Sequence, residues 1–192
     1  MGNGHIDDGT LPRIATPEPG PIGLDSKGGG TKQAHQSMAE QIIAFAAQRR
    51  GQVFGNGECF TLADRALRSA GAKSAADFGR VEPDADYVWG TSINRSDLRP
   101  GDIIQLRDYH CDLEMRSETE IVERAEDRPH HTAIVESVGS SGVVTVLEQN
   151  FPEGTGVRRN RLHLSSVTYS SGDTTTTATV RGTFWFYRPQ AR

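Results

Sequence analysis

Only two cysteines, Cys59 and Cys111, occur in the 192 residues. Two thiols at most make one bridge, so the chain is not a small secreted scaffold held by a disulfide framework. A basic excess is also missing. The formal net charge is −4 and the isoelectric point is near 5.9, which excludes a general nucleic-acid binder. No run of eighteen apolar residues exists, so no membrane-spanning helix is expected. The start, Met1-Gly2-Asn3-Gly4-His5-Ile6-Asp7-Asp8, lacks the basic opening and apolar core of a Sec signal peptide. The expectation is a protein made in the cytoplasm and, if it acts on a wall, delivered to the periplasm or outside by a signal-independent route. Hydrophobic residues are scarce at 35%, with a mean hydropathy of −0.54. A core can form only where they concentrate, and the strong apolar runs lie between Met38 and Tyr187.

What is present divides the chain unevenly. Residues 1–36 are rich in Gly, Pro, Ser, Thr and Asp, with Pro17-Glu18-Pro19-Gly20-Pro21 and Gly28-Gly29-Gly30 as breakers. Such a stretch buries too little apolar surface to offset its ordering entropy and reads as a flexible tail. Residues 37–192 then form the domain. Met38, Ile42, Phe45 and Ala46 recur at helical spacing, with Ser37 and Glu40 as a capping box. Phe60, Ala63, Ala66, Leu67 and Ala70 mark a second helix ended by Gly71. Strand-like runs follow from Ile103, and helices first with strands after predict an α+β domain, N-terminal helices packed on a mostly antiparallel sheet. Between Arg107 and Arg128 eight acids face four arginines, and this uneven stretch, 107–129, reads as an inserted loop or small helix. From Asn150 onward six arginines meet only Glu153 and Asp173. Such asymmetry can steer a charged substrate, or simply mark two solvated faces.

Cys59 is the residue whose setting points to chemistry. It follows Gly55-Asn56-Gly57-Glu58 and opens the second helix. A helix N-terminus offers unpaired N–H groups and partial positive charge, which stabilise a thiolate and lower the thiol pKa from about 8.5. The same N–H groups can hold an acyl-transfer oxyanion. The glycines just before Cys59 let a substrate backbone approach closely, and Gly57, Glu58 and Trp89 are the candidate substrate-binding residues. Read alone, a cysteine in this position is more often a small buried hydrophobe packing the helix.

Residues 132–138 and 143–150 are β-branched runs separated by Gly139-Ser140-Ser141-Gly142, a hairpin signal. A two- or four-residue loop sets Val138 against Val143, Ala133 against Glu148 and His131 against Asn150. His131, Glu148 and Asn150 then share a face, with opposed Cα atoms about 4.5–5.5 Å apart. A three-residue loop would turn Glu148 and Asn150 away. Nucleophile, base and orienting polar group are the parts that thiol catalysis needs.

Gly57-Glu58-Cys59 opening a helix resembles the nucleophile motif of CHAP (cysteine, histidine-dependent amidohydrolase/peptidase) domains, in the papain-like cell-wall hydrolase superfamily. So do Leu98-Arg99-Pro100-Gly101-Asp102-Ile103-Ile104, His131-Thr132-Ala133-Ile134-Val135, Leu147-Glu148-Gln149-Asn150 and Phe184-Trp185-Phe186-Tyr187-Arg188-Pro189, in that order along residues 37–190. The resemblance implies a papain-like fold, Cys59 as nucleophile, His131 as base, Glu148 as orienting group and Asn150 as an additional polar member. It implies no metal and no cofactor, and cleavage of an amide in peptidoglycan, either N-acetylmuramoyl-L-alanine or a stem peptide bond. An antibacterial effector or lysin with an immunity or inhibitor protein as partner fits that reading. The chain departs from the family in having His130 where glycine often precedes the histidine. Three rivals stand beside it: a thiol hydrolase of protein amides, a non-catalytic peptidoglycan- or protein-binding domain, and a zinc site from His110, Cys111, His130 and His131.

Overall fold

The computed structural model describes residues 36–139 and 142–192. The N-terminal stretch read as a tail therefore lies outside the described residues except for Gln36, as do Ser140 and Ser141 at the hairpin tip.

Two helices come first. Helix α1 spans Met38–Ala47 and opens with Ser37 Oγ accepting from the Glu40 N–H while the Glu40 carboxylate accepts from the Ser37 N–H. Helix α2 spans Cys59–Ser69 and has no side-chain cap. Seven strands follow: β1 (Thr91–Ser92), β2 (Ile103–Arg116), β3 (Ile121–Val138), β4 (Val143–Glu148), β5 (Arg158–His163), β6 (Val167–Ser171) and β7 (Thr174–Arg188). They form one sheet in the order β1-β7-β2-β3-β4-β5, with β6 also on β7, and every pairing is antiparallel. Among the described residues no helix is long and apolar enough to cross a membrane.

The expected class, α+β with helices packed on a sheet, needs correction. The described residues are mostly antiparallel β-sheet, with two short α-helices, and 17% of them are helical. The main reason lies in residues 107–129, which are neither loop nor helix. Tyr109, Cys111, Leu113 and Met115 alternate with His110, Asp112, Glu114 and Arg116, the period of a half-buried strand. Strands β2 and β3 therefore run on as a long hairpin, paired from Ile103↔Ile134 to Arg116↔Ile121 and closed by the Ser117 N–H on the Glu120 carbonyl at 2.8 Å. Strand β7 follows β2 along the same extension.

The sheet buries both faces. Ile103, Ile134 and Leu147 join Ile42, Ala46, Leu62, Ala66 and Leu67 of the helices in one cluster. Ile104, Ala133, Val135 and Val146 point the other way and join Leu106, Tyr109, Cys111 and Leu162. Each fully buried aliphatic of this kind contributes about 1.5–3 kcal/mol.

The β3–β4 register differs from expectation near the turn. Val138 pairs with Val144, not Val143. A bulge between Val135 and Ser137 absorbs the extra residue, and beyond it Val135 meets Val146 and Ile134 meets Leu147. The site end of the hairpin thus sits in the frame that puts His131 and Glu148 on one face. Asn150 is not in that frame. Strand β4 stops at Glu148, and Asn150 adopts a left-handed backbone with φ 67°.

Candidate active site

Cys59 is the first residue of α2, so its N–H is among those with no intrahelical acceptor. The approach loop turns through Gly55 (φ 62°) and Gly57 (φ 87°). A Cβ at Gly55 would lie 2.5 Å from Thr61 Cγ2, so only glycine lets the loop pass this close to the helix. The wholly buried Gln149 holds the loop from behind. Its Oε1 accepts from the Phe54 N–H (2.7 Å), and its Nε2 donates to the carbonyls of Phe54 (3.0 Å) and Glu58 (2.9 Å). One amide side chain therefore replaces a strand neighbour and sets where Cys59 begins.

Cys59 and His131 are brought together. Burial alone would push the thiol pKa up. The hydrogen bond and charge of His131, with the N–H groups of Thr132 and Phe60, outweigh it and hold the pKa below the ordinary thiol value. Neither cysteine is disulfide-bonded. Cys111 is fully buried, and burial raises its pKa.

On the far side of the imidazole, His131 Nε2 lies 2.7 Å from Glu148 Oε2. The ring N–H does not point along that line, so the contact is an ion pair rather than a directed hydrogen bond. Burial disfavours the imidazolium, but contact with Cys59 and then Glu148 outweighs it and lifts the pKa to about 9. The lowered thiol and the raised imidazole both favour the thiolate–imidazolium form of the pair.

Glu148 is itself clamped. Arg128 donates from Nε to Oε2 (3.1 Å) and from Nη2 to Oε1 (2.8 Å), and Asn160 Nδ2 donates to Oε1 (2.7 Å). Burial raises the Glu148 pKa, yet His131 and Arg128 together pull it down to about 2. Arg128 and Glu148 side chains are 1% and 0% exposed. The Arg128 guanidinium also reaches Glu126 at 2.9 Å and lies 3.4 Å over the Phe151 ring.

Sequence reading missed Arg128, and the reason is local. Strict alternation puts residues 128 and 131 on opposite faces. At Asp108 (φ 53°) and Pro129 the β2–β3 ladder loses one pair before resuming at Tyr109↔Arg128. Proline has no N–H to give the ladder. Across this kink the alternation resets, and Arg128 and His131 converge on the same carboxylate. Asn160 and Gln149 carried no signal beyond being polar residues near strand ends.

Three other sequence candidates sit as follows. Asn150 turns away from His131: its Nδ2 donates to Glu58 Oε2 (3.3 Å) and its Oδ1 accepts from the Gly154 N–H (2.7 Å). Trp89 is fully buried, its Nε1 donating to Gln105 Oε1 (3.1 Å), so it belongs to the core rather than to a substrate-contacting surface. Glu58 caps the approach to Cys59 and lines a cleft of about 430 Å³ with Cys59, Glu82, Asp84, Tyr87 and His130. His130 is a wall of that cleft, its Nε2 2.7 Å from the Ala85 carbonyl oxygen. Of the zinc candidates, His110 is held between Asp112 and Asp127. Among the described residues no group of three or more such side chains is placed to hold a metal.

No curated protein matches the chain, and no solved structure matches it. A family model does match, over residues 29–189: the AIM3/BBC1 cysteine proteinase-fold domain, of papain-like fold. The match shows the papain-like cysteine proteinase fold that the motifs pointed to; it does not show CHAP specifically. The chain belongs to the AIM3/BBC1 cysteine proteinase-fold domain family.

Proposed function

We propose that the protein is a thiol-dependent hydrolase of amide bonds in polypeptides, with Cys59 as nucleophile, His131 as base and acid, and Glu148 as the group orienting the imidazole. The observation that carries this reading is the unbroken chain from the Cys59 sulfur through the His131 ring to a buried carboxylate. A cysteine proteinase fold supports the reaction class.

In this mechanism the Cys59 thiolate attacks the scissile carbonyl carbon, and the C=O π electrons move to oxygen. The Cys59 N–H, free at the start of α2, is placed to donate to that oxyanion. The intermediate collapses to a thioester as the C–N bond breaks, and the His131 imidazolium gives its proton to the leaving amine. Neutral His131 then takes a proton from water. The hydroxide adds to the thioester, the carboxylic acid leaves, and the thiolate and imidazolium are restored. Glu148 keeps the imidazolium stabilised throughout without itself gaining a proton.

A peptidoglycan amide belongs to the same bond class, but the family match lends it no support, nor any to an antibacterial effector or an immunity partner. The polypeptide amide, including an isopeptide, is the substrate that fits what is found. Incubating wild type and Cys59→Ala with peptide and isopeptide amides, and seeking a thioester on the Cys59 peptide by mass, tests it. Expected are turnover and an acyl adduct in wild type and a loss of about a thousandfold or more in Cys59→Ala. Equal rates in the two proteins would remove the assignment.

A further inference from the structure

Beyond Cys59 the groove changes sign. The cleft that holds the sulfur is lined by Glu58, Glu82 and Asp84, of which Glu82 pairs with Arg80 (2.9 Å) and Asp84 with Arg107 (2.7 Å), and no lysine or arginine lines it. Asn56 and Thr61 line that cleft and also a second cavity of about 880 Å³, between the end of α1 and the outer face of α2. The Asn56 Oδ1–Thr61 Oγ1 hydrogen bond, 2.5 Å, forms the ridge between them. Thr61, Arg65 and Arg68 recur at helical spacing and so share one face of α2. With Arg49 from α1 they give the second cavity three arginines, and no acidic side chain lines it.

The charges there are not equally engaged. Arg68 is paired with Asp64 at 2.8 Å. Arg49 and Arg65 have no carboxylate partner among the described residues. Arg49 is already ordered: its Nη1 donates to the Phe45 carbonyl (2.6 Å), and its guanidinium lies 3.5 Å over the Phe45 ring and 4.9 Å from that of Phe54. A planar guanidinium fixed in this way meets a carboxylate through two parallel N–H groups and loses little further entropy on doing so. Arg65, more exposed, adds positive charge on the same helix face as the ridge beside the nucleophile.

We infer that this cavity is a specificity subsite for an acidic side chain, Asp or Glu, of the polypeptide whose amide sits at Cys59. The inference rests on the hydrolase reading and adds to it a substrate class: a chain acidic on one side of the cleaved bond.

The test uses the full chain and peptide libraries in which each of four positions on either side of the cleaved amide is Glu, Gln or Lys in turn. One position on one side shows a Glu-over-Gln preference of about tenfold in kcat/KM, as expected for a charge-assisted bidentate contact. In Arg49→Gln/Arg65→Gln the preference falls to near unity, and in Arg65→Glu it leans toward Lys. The same peptides are titrated onto Cys59→Ala by fluorescence anisotropy. Glu-selective binding there without turnover in wild type supports the subsite and sinks the hydrolase reading. Turnover with Glu, Gln and Lys peptides cleaved alike sinks the subsite and leaves the hydrolase. Tighter binding of a single-stranded oligonucleotide than of the Glu peptides, lost in the double variant, overturns the assignment in favour of a nucleic-acid ligand.

Discussion

Arg128→Met tests the buried network more sharply than any substitution at the nucleophile. Methionine fills a similar volume but withdraws two hydrogen bonds and a full positive charge from Glu148. Glu148 is 1% exposed, so no water replaces them. Removing one partner of a buried pair costs about 3–5 kcal/mol, because the survivor is left uncompensated. At about 2–4 °C per kcal/mol for a domain of this size, the thermal midpoint should fall by about 6–20 °C. The double variant Arg128→Met/Glu148→Leu removes both charges and should recover most of the loss, since an apolar replacement of a buried pair is often neutral. Its Cys59 thiol should nonetheless stay sluggish, as the imidazolium has lost its carboxylate. Circular-dichroism melts of the two singles and the double give the coupling energy directly. A midpoint for Arg128→Met within two degrees of wild type, or a double variant no more stable than the worse single, would refute the reasoning.

Two further outcomes follow from other parts of the site. Gln149→Ala leaves the Phe54 N–H and the Phe54 and Glu58 carbonyls without partners, so chemical denaturation should show a loss of about 1–3 kcal/mol, and alkylation of Cys59 should slow with it. Unchanged alkylation would mean that the loop is held by other contacts. Glu148 titrates at about 2 when folded, well below its ordinary 4.5, so its contribution is complete above about pH 4.5 and is lost as pH falls toward 2. Stability measured across that window should decline, and Glu148→Gln should flatten the decline; parallel slopes would contradict the pairing.

How far the residues alone led depends on how local each signal is. The capping box of α1 and the glycine turn into Cys59 depend on near neighbours, and both are legible in order along the chain. The meeting of His131 and Glu148 needed one longer assumption, a hairpin frame. A bulge near Glu136 cancels a turn that differs from the one assumed. In residues 107–129 the dense charges mask the alternation of Tyr109, Cys111, Leu113 and Met115 beneath them. That strand carries acids on its outer face, and charge there is compatible with pairing. Arg128 was hidden for a different reason. Its inward aim depends on a ladder break at Asp108 and Pro129, and no period-two rule survives such a break. Trp89 and Asn150 show the limits of residue type: an indole suits a core as well as a substrate wall, and an asparagine after a strand suits a left-handed turn as well as a triad.

His131 makes the sulfur of Cys59 acidic. The most direct measure of that acidity is the iodoacetamide alkylation rate of Cys59, read by mass spectrometry of its own peptide from pH 4 to 10, in wild type and His131→Ala. Wild-type labelling should be rapid and persist below the ordinary thiol range, and in His131→Ala it should retreat to an ordinary thiol profile. A wild-type Cys59 that labels only as pH rises through the usual thiol range, with no change in His131→Ala, would contradict this role of His131.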